Sequence, residues 1–274
     1  MVDSKPSTWD LASDAFLKMS ALDEPFDDPV NDRLIELAGV DAGDTVVDVA
    51  TGIGDPALSV ARRVGLTGHV IATDQSTAML AIAERRARER GLTNIEFRQL
   101  DANAYDFPDA TIDAVVCRWG LMFVSDLTGA LGRMRRSLKP GRVLAAVTWG
   151  EPDKVPIISI RRGVMRAFDL PKSPNDPFRL SSAVTLRDTA LAAGFDDVEV
   201  TREVVPYEYA SVGEFVETQR IAHESRLTAL LARTPEQQAD FWRALGAAAE
   251  AYAGSDGMVR VPSEILLTAA RTRA

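Results

Sequence analysis

From residue 44 onward the chain alternates between two hydrophobic rhythms. Short strand-like runs fall at residues 45–50, 69–73, 94–100, 112–117 and 142–148, all but the third of them mainly apolar. Residues 55–64, 76–90 and 127–137 instead repeat apolar side chains every three or four positions, the spacing of a helix with one buried face. Turn formers punctuate the joints. Pro108 and Asp109 precede the fourth run, Lys139-Pro140-Gly141 ends the third helix, and Pro56 suits a first helical turn. Strands alternating with helices over short loops predict βαβ units. They imply a parallel sheet covered on both faces, with right-handed crossovers.

Outside this block the rhythm changes. Residues 9–22 fit a helix through Trp9, Ala12, Phe16 and Met19. Pro25 and Pro29 are expected to break it before a second helix at 31–38. After Trp149 the alternation stops. Residues 151–183 hold five prolines around one helical stretch, 157–168, and read as an insertion. Residues 185–193 resume as a helix ended by Gly194, and 198–205 form a sixth strand. Residues 212–253 are a long helical region interrupted near Thr234-Pro235, and 265–270 a final strand. The expected division is an N-terminal lid segment (1–30), a ligand-binding core (31–150), a cap insertion (151–183), a return to the core (184–210), a helical cap (211–256) and a last core strand (257–274).

The first strand–turn–helix carries the most chemistry. Gly52 and Gly54 allow a tight turn and close approach of a ligand to the backbone. The helix that follows offers unpaired N–H groups. Such turns hold nucleotide-like cofactors at the carboxyl edge of a parallel sheet. Two cofactors fit this pattern. Gly52-x-Gly54-x-x-Ala57, with Asp74 about 20 residues on, nearly satisfies the dinucleotide fingerprint and so admits an NAD-dependent oxidoreductase. Against that reading stand Asp48 ahead of the turn, the Asp101-Ala102 pair after strand three, and the lack of a Tyr-x-x-x-Lys arrangement.

The stretch Val46-Val-Asp-Val-Ala-Thr-Gly-Ile-Gly54 resembles the first motif of the class I S-adenosylmethionine (SAM)-dependent methyltransferases, in their ubiquinone/menaquinone-biosynthesis-like branch. The resemblance continues at Ile71-Ala-Thr-Asp74, Arg98-Gln-Leu-Asp-Ala102 and Leu138-Lys-Pro-Gly-Arg142, and covers residues 31–150. It implies a Rossmann-like, seven-stranded, mostly parallel sheet with an antiparallel last strand, carrying helical cap insertions. It also implies SAM as cofactor and S-adenosylhomocysteine as product. By position, Asp48 would favour the amino end of SAM, and Ala50, Thr51, Gly52 and Gly54 would admit its methionine part. Asp74 would accept from the ribose hydroxyls, Gln75 and Met79 would flank the adenine, and Asp101 with the Ala102 N–H would read its edge. Arg118 would offer its backbone carbonyl. Ala50 departs from the pattern, since the family often has glycine there.

Bulk properties narrow the acceptor. The 274 residues carry a net charge of −9, which opposes phosphate backbones and excludes general nucleic-acid binding. Arg85, Arg86, Arg88 and Arg90 alternate with Glu84 and Glu89 and read as a solvated, salt-bridged helix face. His69 reads as a surface residue. The single cysteine, Cys117, rules out an internal disulfide and a cysteine-based zinc cluster. No signal-like run or membrane span is expected, which points to a cytoplasmic protein, monomeric or homodimeric, with no metal.

Methyl transfer from a sulfonium is an in-line displacement that needs alignment and a dry site more than acid–base groups. If a base is used, His223 in the cap is the candidate. Trp9, Phe16, Trp119, Met122, Trp149 and Tyr207 are candidate acceptor contacts, with Trp119 and Met122 favoured by their place after strand four. The expected function is methylation of a small organic acceptor at O, N or C. The alternatives are a protein of the same fold that binds or cyclises a ligand without methyl transfer, and the NAD-linked oxidoreductase.

Overall fold

The structure, a computed structural model, describes residues 7–223 and 227–274, with the side chains of residues 21–28 outside the description. Seven strands form one sheet in the order β3-β2-β1-β4-β5-β7-β6. They are β1 (Thr45–Val49), β2 (His69–Asp74), β3 (Ile95–Gln99), β4 (Ile112–Arg118), β5 (Leu138–Trp149), β6 (Asp197–Tyr209) and β7 (Val259–Arg271). The first five pair in parallel, and β7 runs antiparallel to both β5 and β6. The expected fold class is the observed one.

The middle strands are apolar on both faces because both faces are covered. Val46, Ala114, Ala145 and Val147 join one core with α2 (Ala57–Val64) and the end of α1 (Thr8–Ala38). Val47, Val115, Cys117 and Leu144 join the other with α4 (Leu127–Ser137) and α6 (Ala183–Ala192). Side-chain caps fix the helix starts: Ser76 for α3 (Thr77–Glu89), Asp126 for α4 and Ser182 for α6.

Three expectations about elements change. Pro25 and Pro29 do not break the first helix, because α1 is continuous from Thr8 to Ala38. A proline inside a helix costs roughly 3 kcal/mol. Buried Val30, Leu34 and Ile35 each contribute roughly 1.5–3 kcal/mol by leaving water, so the sheet-facing end holds its helical course. Lys139-Pro140-Gly141 lies inside β5, since Leu138 already pairs with Ile112 before the register shifts to Ala114 and Val143. β6 and β7 are longer than their apolar runs. Their pairing continues past Trp149 as a two-stranded arm, from Val204 opposite Glu264 to Tyr209 opposite Val259.

That arm leads into a helical region. The region expected at 212–253 divides into α7 (Val212–His223), α8 (Thr228–Leu231) and α9 (Pro235–Ala249), with residues 224–226 outside the described ones. Thr234 and Gln237 form a capping box, and Pro235 takes the first helical position. α5 (Pro156–Ala167) packs on α9 and β7, and α7 packs on α1. Among the described residues no helix is long and apolar enough to cross a membrane.

Asp113 ties the opposite edge of the sheet together. It accepts from Lys139 Nζ at 2.8 Å, Arg142 Nη2 at 2.9 Å and the Thr45 N–H at 3.0 Å. Burial opposes its charge, but these partners outweigh burial and hold its pKa below the usual carboxylate value. Asp113→Ala is expected to cost about 2 kcal/mol in urea unfolding at pH 7. That is less than a fully buried pair, because both cations keep contact with water. A folded pKa below the unfolded one adds stability above the ordinary carboxylate range and loses it as the pH falls through that range. The gap between wild type and variant should therefore shrink in acid.

Candidate active site

The carboxyl ends of β1, β2 and β4 floor a cavity of about 1340 Å³. Every candidate site residue lines it except Asp48 and Gly54. These two lie under the turn and shape it from below.

Asp48 has no exposed surface. Its Oδ2 accepts the Ala57 N–H at 3.0 Å, and its backbone carbonyl accepts the Thr73 hydroxyl at 3.0 Å. Its carboxylate thus ties the end of β1 to the first turn of α2. Its Oδ1 and the Thr51 Oγ1 are buried without a hydrogen-bond partner among the described residues. Burial pushes the Asp48 carboxyl up to about 7, against the lowering pull of its hydrogen bonds and of Arg118. A Cβ on Gly54, at φ +111°, would meet Leu58 at 3.1 Å and Ala83 at 3.3 Å. Glycine at 54 therefore serves close helix packing, not ligand approach.

The turn's upper surface faces the cavity. Ala50 sits at φ 57° and Gly52 at φ 56°. A Cβ on Gly52 would meet nothing within 4 Å, so the backbone is bare toward the cavity. Ala50, the departure from the family pattern, is matched by Gly120, where any Cβ would lie 2.6 Å from the Ala50 methyl. Asp74, at the end of β2, accepts the Gly52 N–H at 2.9 Å on one oxygen and the Ser76 N–H at 2.9 Å on the other. Burial raises its pKa. A carboxylate has about four acceptor positions, so it retains capacity toward the cavity. Asp101 uses Oδ1 for the Asn103 N–H and side chain, both at 2.8 Å. Gln75, Met79, Ala102 and Arg118 complete this half.

The bare backbone at Gly52, the spare acceptor capacity of Asp74 and the orphaned polar atoms of Asp48 and Thr51 fit a cofactor with a polyol and a polar, amino-bearing tail. Among the described residues no group of three or more His, Cys, Asp or Glu is placed to hold a metal. Cys117 is buried.

The aromatic candidates separate into two groups. Trp9 and Phe16, on α1, pack by Ile53, Met79 and Ile82 on the turn side of the cavity. Trp119 and Trp149 stack at the ends of β4 and β5, centroids 4.7 Å apart and planes within 10°. Tyr207 lies 6.4 Å from Trp149. Trp119 is at φ 53°, and its indole N–H has no partner among the described residues. Met122 lines the cavity but is 1% exposed and belongs mainly to the core. His223 is on the cavity wall, at the end of α7.

Four contributors escape the sequence motifs. Arg86 is not on the solvated face expected of it, and its relative exposure is only 9%. Its Nη1 donates to the Ile53 carbonyl at 2.7 Å and the Asp55 carboxylate at 2.6 Å, which pins the glycine turn from α3. Arg88 and Arg85 do pair with Glu84 and Glu89 on the solvated side, and His69 is a surface residue beside Glu96. Asp10 latches α1 to α3. It accepts the Ser76 hydroxyl at 2.5 Å while closing a capping box with Ser7, and these bonds bring its pKa to about 2. Phe123 packs on Trp9 at 5.0 Å. Arg179 gathers the carbonyls of Leu121, Met122 and Val124 and so fixes the loop after β4.

Two variants test this floor. Arg86→Met strands the Asp55 charge and the Ile53 carbonyl, and should lower stability by about 3 kcal/mol in urea unfolding. Asp48→Asn keeps an acceptor for the Ala57 N–H but removes a titrating group. The native Asp48 binds a proton between about pH 4 and 7 that the unfolded chain has released, so wild type loses stability as the pH rises through this window. The Asn variant should show a flatter profile over the same range; identical profiles would contradict it.

Comparisons with known proteins agree with this geometry. Residues 28–160 match the model of the ubiE/COQ5 methyltransferase family. The ubiquinone/menaquinone biosynthesis C-methyltransferase UbiE of Cellvibrio japonicus is 41% identical over 119 residues, which are 43% of this chain and 48% of that protein. Its Pseudomonas putida counterpart is 42% identical, over 43% and 46%. The match thus spans about half the length of these curated relatives. Among solved structures, the YcgJ protein of Bacillus subtilis superposes with a TM-score of 0.58 at 19% identity, covering 89% of this chain and 98% of that one. The [4+2]-cyclase SpnF superposes with a TM-score of 0.56 at 25% identity, over 90% and 82%. Over residues 28–160 the chain is thus similar to the ubiE/COQ5 methyltransferase family.

Proposed function

We propose that the protein is a SAM-dependent methyltransferase of small organic acceptors, acting in the cytoplasm as a monomer or homodimer. One observation carries this reading. The Asp74 carboxylate, at the end of β2, holds the Gly52 N–H of the bare turn while facing the cavity. That pairing aligns an acceptor for a ribose diol with an open backbone for the adjoining tail. A dinucleotide would also want an acid here, but the family match over residues 28–160 favours SAM.

When bound, SAM supplies an electrophilic methyl group on a sulfonium. The chain supplies placement. Asp74 orients the ribose, Asp101 and the Ala102 N–H take the adenine edge, and Gln75 and Met79 flank the ring. Ala50, Thr51 and Gly52 line the path of the methionine part, with Asp48 and Gly54 holding the turn from beneath. Trp119, Trp149 and Tyr207 form the acceptor wall, and Met122 backs it. Trp9 and Phe16, on the proposed N-terminal lid, exclude water over the cofactor half. His223 stands on the cap as the proton acceptor for an acceptor that must lose one. The cavity exceeds the roughly 300–1,000 Å³ of a single small-ligand site, in keeping with two ligands side by side. Residues 151–183 and 211–256 act as the cap.

A second reading has its own support. The 25% identity to the [4+2]-cyclase SpnF extends over 90% of this chain, including the cap, where the methyltransferase family model does not reach. A protein that shapes a ligand without methylating it would use the same wall.

Calorimetry tests the cofactor. Asp74→Ala removes two charge-assisted hydrogen bonds and should weaken SAM binding by roughly 100-fold or more. Unchanged affinity would sink the proposal. Incubation with labelled SAM and a host extract separates the two readings: a labelled product supports methyl transfer, and turnover of an acceptor without label supports the second.

A further inference from the structure

The acceptor half of the cavity has a polar corner that the family motifs do not include. It lies on α7, beyond residue 160, where the family match ends. Thr218, Gln219, Ala222 and His223 follow helical spacing and line the cavity together. Thr218 is 5% exposed and Gln219 4%. Burying two such side chains is unfavourable unless their polar atoms find partners.

The partners are incomplete. Arg161, on α5, donates Nη1 to Gln219 Oε1 at 3.0 Å. A guanidinium has only donors, so this bond fixes which end of the amide is which. The Gln219 N–H₂ group is left as the free end. Neither it nor the Thr218 hydroxyl has a hydrogen-bond partner among the described residues. Trp119 lines the same cavity, but its indole N–H is sealed from solvent and adds no donor to this corner. The corner therefore offers hydrogen-bond donors and asks for an acceptor oxygen.

Charge and shape narrow that oxygen's owner. Among the described residues the cavity wall carries six carboxylates against five Arg or Lys side chains, which favours a neutral ligand over an anion. Trp119 and Trp149, stacked 4.7 Å apart, line the same cavity with flat apolar rings. We infer that Gln219 and Thr218 are specificity-determining residues. They anchor a neutral carbonyl oxygen on a flat, apolar acceptor whose body lies along the Trp119–Trp149 wall. Arg161 acts through Gln219 as a positioning residue. The inference rests on the acceptor site proposed above and adds to it the chemistry of the group held there.

The test uses 2-acetylnaphthalene and 2-ethylnaphthalene, a pair that differs mainly in the carbonyl oxygen. Affinities are measured by titration on the full chain, with and without saturating S-adenosylhomocysteine. Wild type should prefer the ketone by roughly tenfold. Thr218→Val, which keeps the side-chain shape, should cut the preference to about threefold. Thr218→Val with Gln219→Glu should abolish it, since Glu retains an acceptor for Arg161 and removes the N–H₂ donors. S-adenosylhomocysteine affinity and the melting curve should stay unchanged in both. Equal affinity of wild type for the two compounds, no binding of either, or a preference that survives the double variant overturns the inference. Failure of S-adenosylhomocysteine to bind wild type counts against the methyltransferase reading alone, because the ligand-free titrations still decide the anchor.

Discussion

The sealed Asp48 carboxylate is the constraint on which the site depends. It takes the Ala57 N–H at the start of α2 and reaches back to the end of β1, so strand and helix cannot separate. The chain between them must then reverse in a few residues, and it does so with Ala50 and Gly52 at positive φ. Left-handed backbone of this kind costs free energy at a non-glycine residue and persists only where its surroundings over-determine it. Here they do. Arg86 grips Ile53 and Asp55 from α3, Asp74 holds the Gly52 N–H from β2, and Gly120 makes room for the Ala50 methyl from β4. Each neighbouring element contributes one restraint to the same seven-residue turn.

That crowding explains why the polar groups around the turn are left as they are. A carboxylate with no exposed surface and one oxygen without a partner opposes its own ionisation, hence the raised pKa of Asp48. Beneath a solvated loop such an arrangement would only weaken the fold. Beneath a turn with bare backbone above it, the unmet polarity belongs to the floor of a ligand site. The two acids therefore have different tasks despite their proximity. Asp74 faces the cavity with acceptor capacity to spare, while Asp48 keeps the floor in place.

Much of this was legible from hydrophobic rhythm. Runs buried on both faces, such as β1 and β4, need no partner to be recognised, and the turn at Asp48–Gly54 is local in sequence. What was missed was set by contacts across the chain, although some left a trace. Met79, Ile82, Ala83, Arg86 and Ala87 follow the three- and four-residue spacing of the buried stripe of α3. Arg86 was thus on the inner face by position, and only its neighbouring charges suggested otherwise. The Ser7-x-x-Asp10 pattern is a helix-start signature, but its reach to Ser76 depends on how α1 crosses α3. The β6–β7 arm extends because Val205, Tyr207 and Tyr209 alternate with exposed residues, a period-two signal that Pro206 interrupts. Prolines misled in α1 for the reverse reason, since tertiary burial outweighed a local penalty.

The proposed acceptor half is harder to read because its residues come from α5, α7 and the ends of β4, β5 and β6, and no local motif joins them. The physical division of labour follows from this. The cofactor half stands on a rigid sheet edge, where parallel strands fix positions and the family's motifs recur. The acceptor half rests on helices carried by a two-stranded arm that extends beyond β5. The helices on that arm make none of the hydrogen bonds that hold Asp48 and the turn. Within the proposed acceptor half, the donors stand on α7 and the stacked indoles on the sheet edge. A ligand held by both would be set against the sheet by a helix that follows the arm.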